Sequence, residues 1–192
     1  MTFPARSTVL AALAALPALA GCLLFGGCTP TFDWREVRGA EAPYVILMPA
    51  KPNSSTRDID LGAGPITMTM TVARAEDISF SITSGKLPQP SAADAALLAM
   101  KASLVRNTKA AIRNETASTT ADGNKLLTLE GTFNIGPSPS AAKPGSAASA
   151  LLSARFTSRN GYVYQIVAYG PEKALSGQVL DTFLTSFRPE GG

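Results

Sequence analysis

The chain has no histidine. That removes the commonest general base, the usual transition-metal ligand and the side chain that changes charge near neutral pH. Cysteine is almost absent: two in 192 residues, Cys22 and Cys28, both near the start. Nothing downstream of them supplies a disulfide, a zinc–thiolate site or a thiol nucleophile. Charged residues make up only 16% of the chain, 17 basic against 14 acidic, and they are scattered. A net +3 of that kind gives no reason to expect nucleic acid as a partner. Long apolar runs are also missing, with one exception. Val9 to Phe25 is 17 residues, interrupted by Pro17, at the short limit for crossing a membrane.

That exception organises the N-terminus. Arg6 precedes the apolar run, and small residues follow it, which are the three parts of an export signal. Each cysteine lies behind such residues, in Leu19-Ala20-Gly21-Cys22 and Phe25-Gly26-Gly27-Cys28. Both resemble the lipobox at which a bacterial thiol takes a diacylglycerol and becomes residue one of the mature protein. Leu19 to Cys22 has the better residue types. Cys28 has the better position, because Leu23 to Phe25 are still apolar and mature-type sequence starts at Thr29. The expected organisation is a signal peptide over 1–27, with a cut after 21 as the alternative. An anchor-proximal lead follows over 28–43, then one domain over 44–192. Residue 29 is Thr and not Asp. By resemblance to lipoprotein sorting signals, this places the protein at the outer membrane, facing the periplasm.

The domain alternates in the way strands do. Tyr44 to Met48 is a short apolar run closed by Pro49, and Thr56 to Leu61 suits an edge strand. Ile66, Met68, Met70 and Val72 share one face, with Thr67, Thr69 and Thr71 on the other, and Ile78 to Ile82 repeats the pattern. A helix is expected from Pro90 to about Asn114, with Asp94 in its first turn and an apolar stripe through Leu97, Met100, Leu104 and Ile112. Lys125 to Ile135 returns to alternation. Gly136 to Ser149 is a Pro/Ser/Ala/Gly stretch without core-forming side chains and is expected to be a flexible loop. Leu151 to Thr157 and Tyr162 to Tyr169 form a hairpin across Asn160-Gly161, and Pro171 opens a last helix reaching Phe187. The order is four strands, helix, three strands, helix: an α+β domain with a curved, mostly antiparallel sheet of six to seven strands covered by two helices.

The segment Cys28 to Glu36, with Leu47 to Pro52, resembles the start of a group of uncharacterised proteobacterial lipoproteins. Gly161 to Ile166 and Phe183 to Arg188 resemble the C-terminal half of small domains with the PsbP/Mog1 fold, a curved antiparallel sheet between helices. The resemblance implies a non-catalytic accessory or binding module without a cofactor. A periplasmic enzyme using carboxylate, serine or lysine chemistry, and a purely structural envelope protein, are the alternatives.

Candidate contact residues follow from charge and exposure, and each has an ordinary structural reading. Arg106, Lys109 and Arg113 fall opposite the apolar helix stripe, as a solvated face or as a contact for anionic headgroups or an acidic partner. Trp34 and Arg35 sit close to the anchor, capping the core or meeting a membrane or partner. Lys101 falls inside the apolar stripe, where its stem can lie on the core edge while the ammonium reaches water. Asp58 and Asp60 lack the further oxygens a hard cation needs, so no metal is expected. The expected partners are the membrane, through the lipid, and an envelope protein. Oligomeric state is not legible.

Overall fold

The computed structural model describes residues 31–61, 64–135, 148–175 and 177–190. Cys22, Cys28 and most of the Gly136–Ser149 stretch lie outside them. The residues from Thr31 onward form one compact unit.

Its elements are β1 (Arg35–Arg38), β2 (Tyr44–Met48), β3 (Asn53–Asp60), β4 (Pro65–Ala75), β5 (Ile78–Lys86), α1 (Ala93–Thr108), β6 (Ala111–Thr119), β7 (Lys125–Ile135), β8 (Ala148–Arg159), β9 (Tyr162–Pro171), α2 (Gly177–Ser186) and β10 (Arg188–Pro189). Seven strands make one sheet in the order β3-β4-β5-β9-β8-β7-β6, and all their pairings are antiparallel. A second sheet, β1-β2-β10, has β2 at its centre.

Both faces of the large sheet are packed, so there are two cores. On one face Leu97 and Met100 of α1 meet Leu129, Leu152, Phe156 and Val163. On the other, Phe183 of α2 and Ile46 and Met48 of β2 meet Phe80, Ile82, Tyr164 and Ile166. Strand β9 serves both, because its period of two sends Val163 and Val167 one way and Tyr164, Ile166 and Ala168 the other. Ser186 ties the second layer together: its Oγ accepts from the Leu47 amide at 2.9 Å and donates to the Phe183 carbonyl at 2.7 Å.

Three strands were not expected: β1 inside the 28–43 lead, β6, and the two-residue β10. The expected helix to Asn114 is the largest correction. It ends at Thr108, because Lys109 takes the left-handed conformation (φ 54°) and turns the chain back. Ala111 to Thr119 then pairs with β7. The last helix starts at Gly177, and Pro171 instead closes β9. Ala148 and Ser149, expected in the loop, pair with Ile135 and Asn134 as the start of β8. The β8–β9 hairpin stands as read, with Asn160 (φ 51°) and Gly161 (φ 78°) both left-handed at its turn.

Candidate functional site

Strand β4 shows where the large sheet is incompletely covered. Ile66 and Met68 are buried under the α1 side, but Met70, next on that face, is 41% exposed. Burial then switches to the opposite face, where Thr71, Ala73 and Ala75 lie under the second layer. The expected uniform apolar face of β4 therefore breaks at Met70, beyond the reach of α1. The reason is width. Seven strands span roughly 30 Å at the usual strand spacing, and one helix is about 10 Å across. Helix α1 lies over β7, β8 and β9. The α1-side face of β3, and of β4 beyond Met68, is left open.

The result is a groove of about 340 Å³. Its floor is built by register. Ser55, Met70, Thr83 and Gln165 stand in one row across β3, β4, β5 and β9, and Arg57 and Met68 stand in the next. Gly85 completes that second row. A Cβ there would stand 2.9 Å from the Thr67 carbonyl oxygen and closer still to the Met68 sulfur, so the absent side chain is what lets Met68 lie flat. The wall is built by helical period: Met100, Ser103, Leu104 and Asn107 are spaced i, i+3, i+4, i+7 along α1. Ile59, also 41% exposed, stands at the outer end.

Chemically the groove is apolar, with hydroxyl and amide groups at intervals and one ionisable side chain among its lining residues, Arg57. Three methionines give it a surface that can repack around different shapes. Among the described residues there is no group of three or more His, Cys, Asp or Glu that could hold a metal, and no helix long and apolar enough to cross a membrane. The shifted ionisable groups lie elsewhere. Burial pushes the Tyr44 and Tyr164 phenols up, and the Arg38 guanidinium is raised first by its hydrogen bond to Glu190, at 2.7 Å.

The residues singled out in the sequence are not in this groove. Arg106 and Lys109 sit at the end of α1, but Arg113 belongs to β6, at a register shift between Ile112 and Asn114, and meets Glu172 at 3.4 Å. The three bases therefore do not form one stripe. Trp34 stacks on Phe32 (5.6 Å between ring centres) and meets Phe80 edge-on at 5.9 Å, while Arg35 pairs with Asp33. The indole thus caps one end of the second core. Lys101 pairs with Glu115 of β6, so its charge is met by a carboxylate on a strand the sequence did not reveal. Asp58 accepts from the Thr67 hydroxyl at 2.8 Å. The groove itself went unread because Met70 and Ile59 look like core residues in the sequence. Only the position of α1 distinguishes them from core.

With this geometry in place, the fold can be compared with known structures. The solution structure of cyanobacterial PsbP (CyanoP) from Synechocystis sp. PCC 6803 superposes with a TM-score of 0.52 at 18% identity, over 86% of this chain and 96% of that one. The fold is PsbP-like. No protein-family model and no curated protein sequence matches the chain. In this PsbP-like domain the α+β architecture expected from the sequence holds, with the small β1-β2-β10 sheet as an added layer.

Proposed function

We propose that the chain is a lipid-anchored accessory protein of the bacterial envelope, whose PsbP-like domain binds a partner protein and catalyses nothing. The anchor is Cys28, with Cys22 as the alternative, and the domain faces the periplasm from the outer membrane. The binding surface is the groove beside α1. The observation that carries this reading is the exposure of Met70 and Ile59, each 41% exposed, on a floor that they share with Met68 and Leu61 and with polar side chains at intervals. Large apolar side chains grouped in this way at a surface mark interaction sites.

The occupant that fits is an amphipathic helix of the partner. It would lie beside α1, over strands that lack a helix of their own, and place apolar side chains at helical spacing against Met68, Met70 and Met100. An acidic residue on that helix would meet Arg57. In-cell photo-crosslinking tests this. A photoreactive amino acid at position 70 is expected to give one discrete light-dependent adduct, lost when Arg57→Glu reverses the lone charge. The same probe at Leu98, exposed on α1 away from the groove, is expected to give none. Adducts of equal yield at both positions, or none at 70, would remove the groove as the binding surface.

A further inference from the structure

The opposite face of the large sheet holds a second concavity, about 330 Å³, between β8 and the C-terminal end of α2. Strand β8 sends Arg155, Thr157 and Arg159 to that face by its period of two. Thr157 is committed, its hydroxyl donating to the Lys125 carbonyl at 2.9 Å. Arg159 is committed too, to Asp122 at 2.6 Å. Arg155 is different. Its Nη1 donates to the Leu184 carbonyl at 3.0 Å, at the end of α2, and among the described residues no carboxylate pairs with it. Its Nε is buried and has no hydrogen-bond partner.

Capping a helix end accounts for one of the five N–H donors of a guanidinium. A neutral amide would make the same hydrogen bond. The helix end offsets part of the positive charge, but among the described residues no carboxylate pairs with it and Nε stays without a partner in a part-buried place, where an unpaired charge is costly. Beside it Ile166, Leu184 and Phe187 form an apolar part of the wall, and Thr120, Asn124 and Thr185 are among the polar residues of the rest. A planar fork next to an apolar wall suits a planar anion with an apolar body.

We propose that this cleft is a second binding site, separate from the groove, for a small carboxylate carrying an aromatic or short aliphatic group. Arg155 is the residue that recognises the carboxylate, and Asp122 limits affinity by neutralising Arg159.

The test uses the full chain in lipid nanodiscs and fluorine NMR of para-fluorophenylacetate, with its neutral amide as control. Saturable binding of the carboxylate is expected, and markedly weaker binding of the amide. Arg155→Gln keeps a donor for the Leu184 carbonyl but removes the charge. It is expected to weaken binding roughly tenfold or more, the loss expected for a charge-assisted hydrogen bond. Asp122→Asn is expected to tighten binding about two- to fivefold, within the worth of an exposed ion pair. No saturable binding, equal binding of acid and amide, or unchanged affinity in Arg155→Gln overturns the proposal. Should Arg155→Gln fail to fold, Asp122→Asn decides, and unchanged or weaker binding there overturns it equally.

Discussion

Tyr164 carries a polar group into the core and meets its need there. The side chain is fully buried, the ring packs on Tyr44 and Phe187, and the hydroxyl donates to the Pro43 carbonyl at 3.1 Å. Burial raises its pKa, and that of Tyr44, above the ordinary phenol value. In the unfolded chain both ionise near pH 10. The folded chain then holds more protons than the unfolded one, so stability is fully present below that pH and falls as pH rises through and beyond it. Each phenol accounts for up to about 1.4 kcal/mol per pH unit on that slope. With no histidine in the chain, urea midpoints are expected to stay level between about pH 6 and pH 9. They are expected to drop above about pH 10. Tyr164→Phe should cost about 1 kcal/mol at neutral pH through the lost hydrogen bond, and should make the alkaline decline distinctly shallower. An unchanged alkaline slope in that variant would show that Tyr164 ionises as freely in the folded state as in the unfolded. A strand's period of two puts Tyr162 and Tyr164 on one face and Tyr169 on the other, which is legible in the sequence. The sequence could not show which face would be sealed by Pro43 and Phe187, residues far away in the chain.

Two glycines separate strain from crowding at the level of the strand. Gly161 has a positive φ of 78°, and a Cβ there would meet Pro90 Cγ at an ordinary 3.5 Å. Gly161→Ala should therefore lose about 1–2 kcal/mol from backbone strain alone, read as a lower midpoint with the fold intact. Gly131 lies in β7, where a Cβ would come within 2.7 Å of the Ala111 carbonyl oxygen. Gly131→Ala must push β6 away. Hydrogen exchange is expected to show β6 amides losing protection while β8 and β9 keep theirs, and uniform loss across all three strands would contradict this. The same contrast explains what was legible. Asn160-Gly161 announces a turn by local chemistry alone. Strand β6 announces nothing, because every one of its residues is exposed and no alternation marks it. Ile112 and Ala111 happened to continue the helical spacing of α1, and the reversal at Lys109, a non-glycine residue in the left-handed region, left no mark in the sequence.

For the whole molecule, the fold and the proposed location rest on different parts of the chain. The layered α+β architecture followed from turn residues and periodicity, and the structure bears it out. The open groove did not follow, since it depends on how many strands one helix can cover. The proposed N-terminal anchor rests on residues outside the described structure, and mass spectrometry tests it directly. The mature N-terminal peptide is expected to begin at an acylated Cys28. Cys28→Ala should abolish acylation, and Cys22→Ala should leave it in place. Acylation that survives Cys28→Ala and is lost in Cys22→Ala moves the anchor to Cys22, and an unmodified N-terminus in wild type removes it.

Strand β2 has β1 on one edge and β10 on the other, and the Arg38–Glu190 ion pair at 2.7 Å closes the clasp between them. Fraying at the two ends of the domain is therefore a single event. A carboxypeptidase that trims through β10 takes Glu190 from Arg38, leaving it Glu36 on its own strand, uncovers an edge of β2 and loosens the link between β10 and β1. Wear at the tail would be recorded at the head, and this small sheet works as the domain's seam.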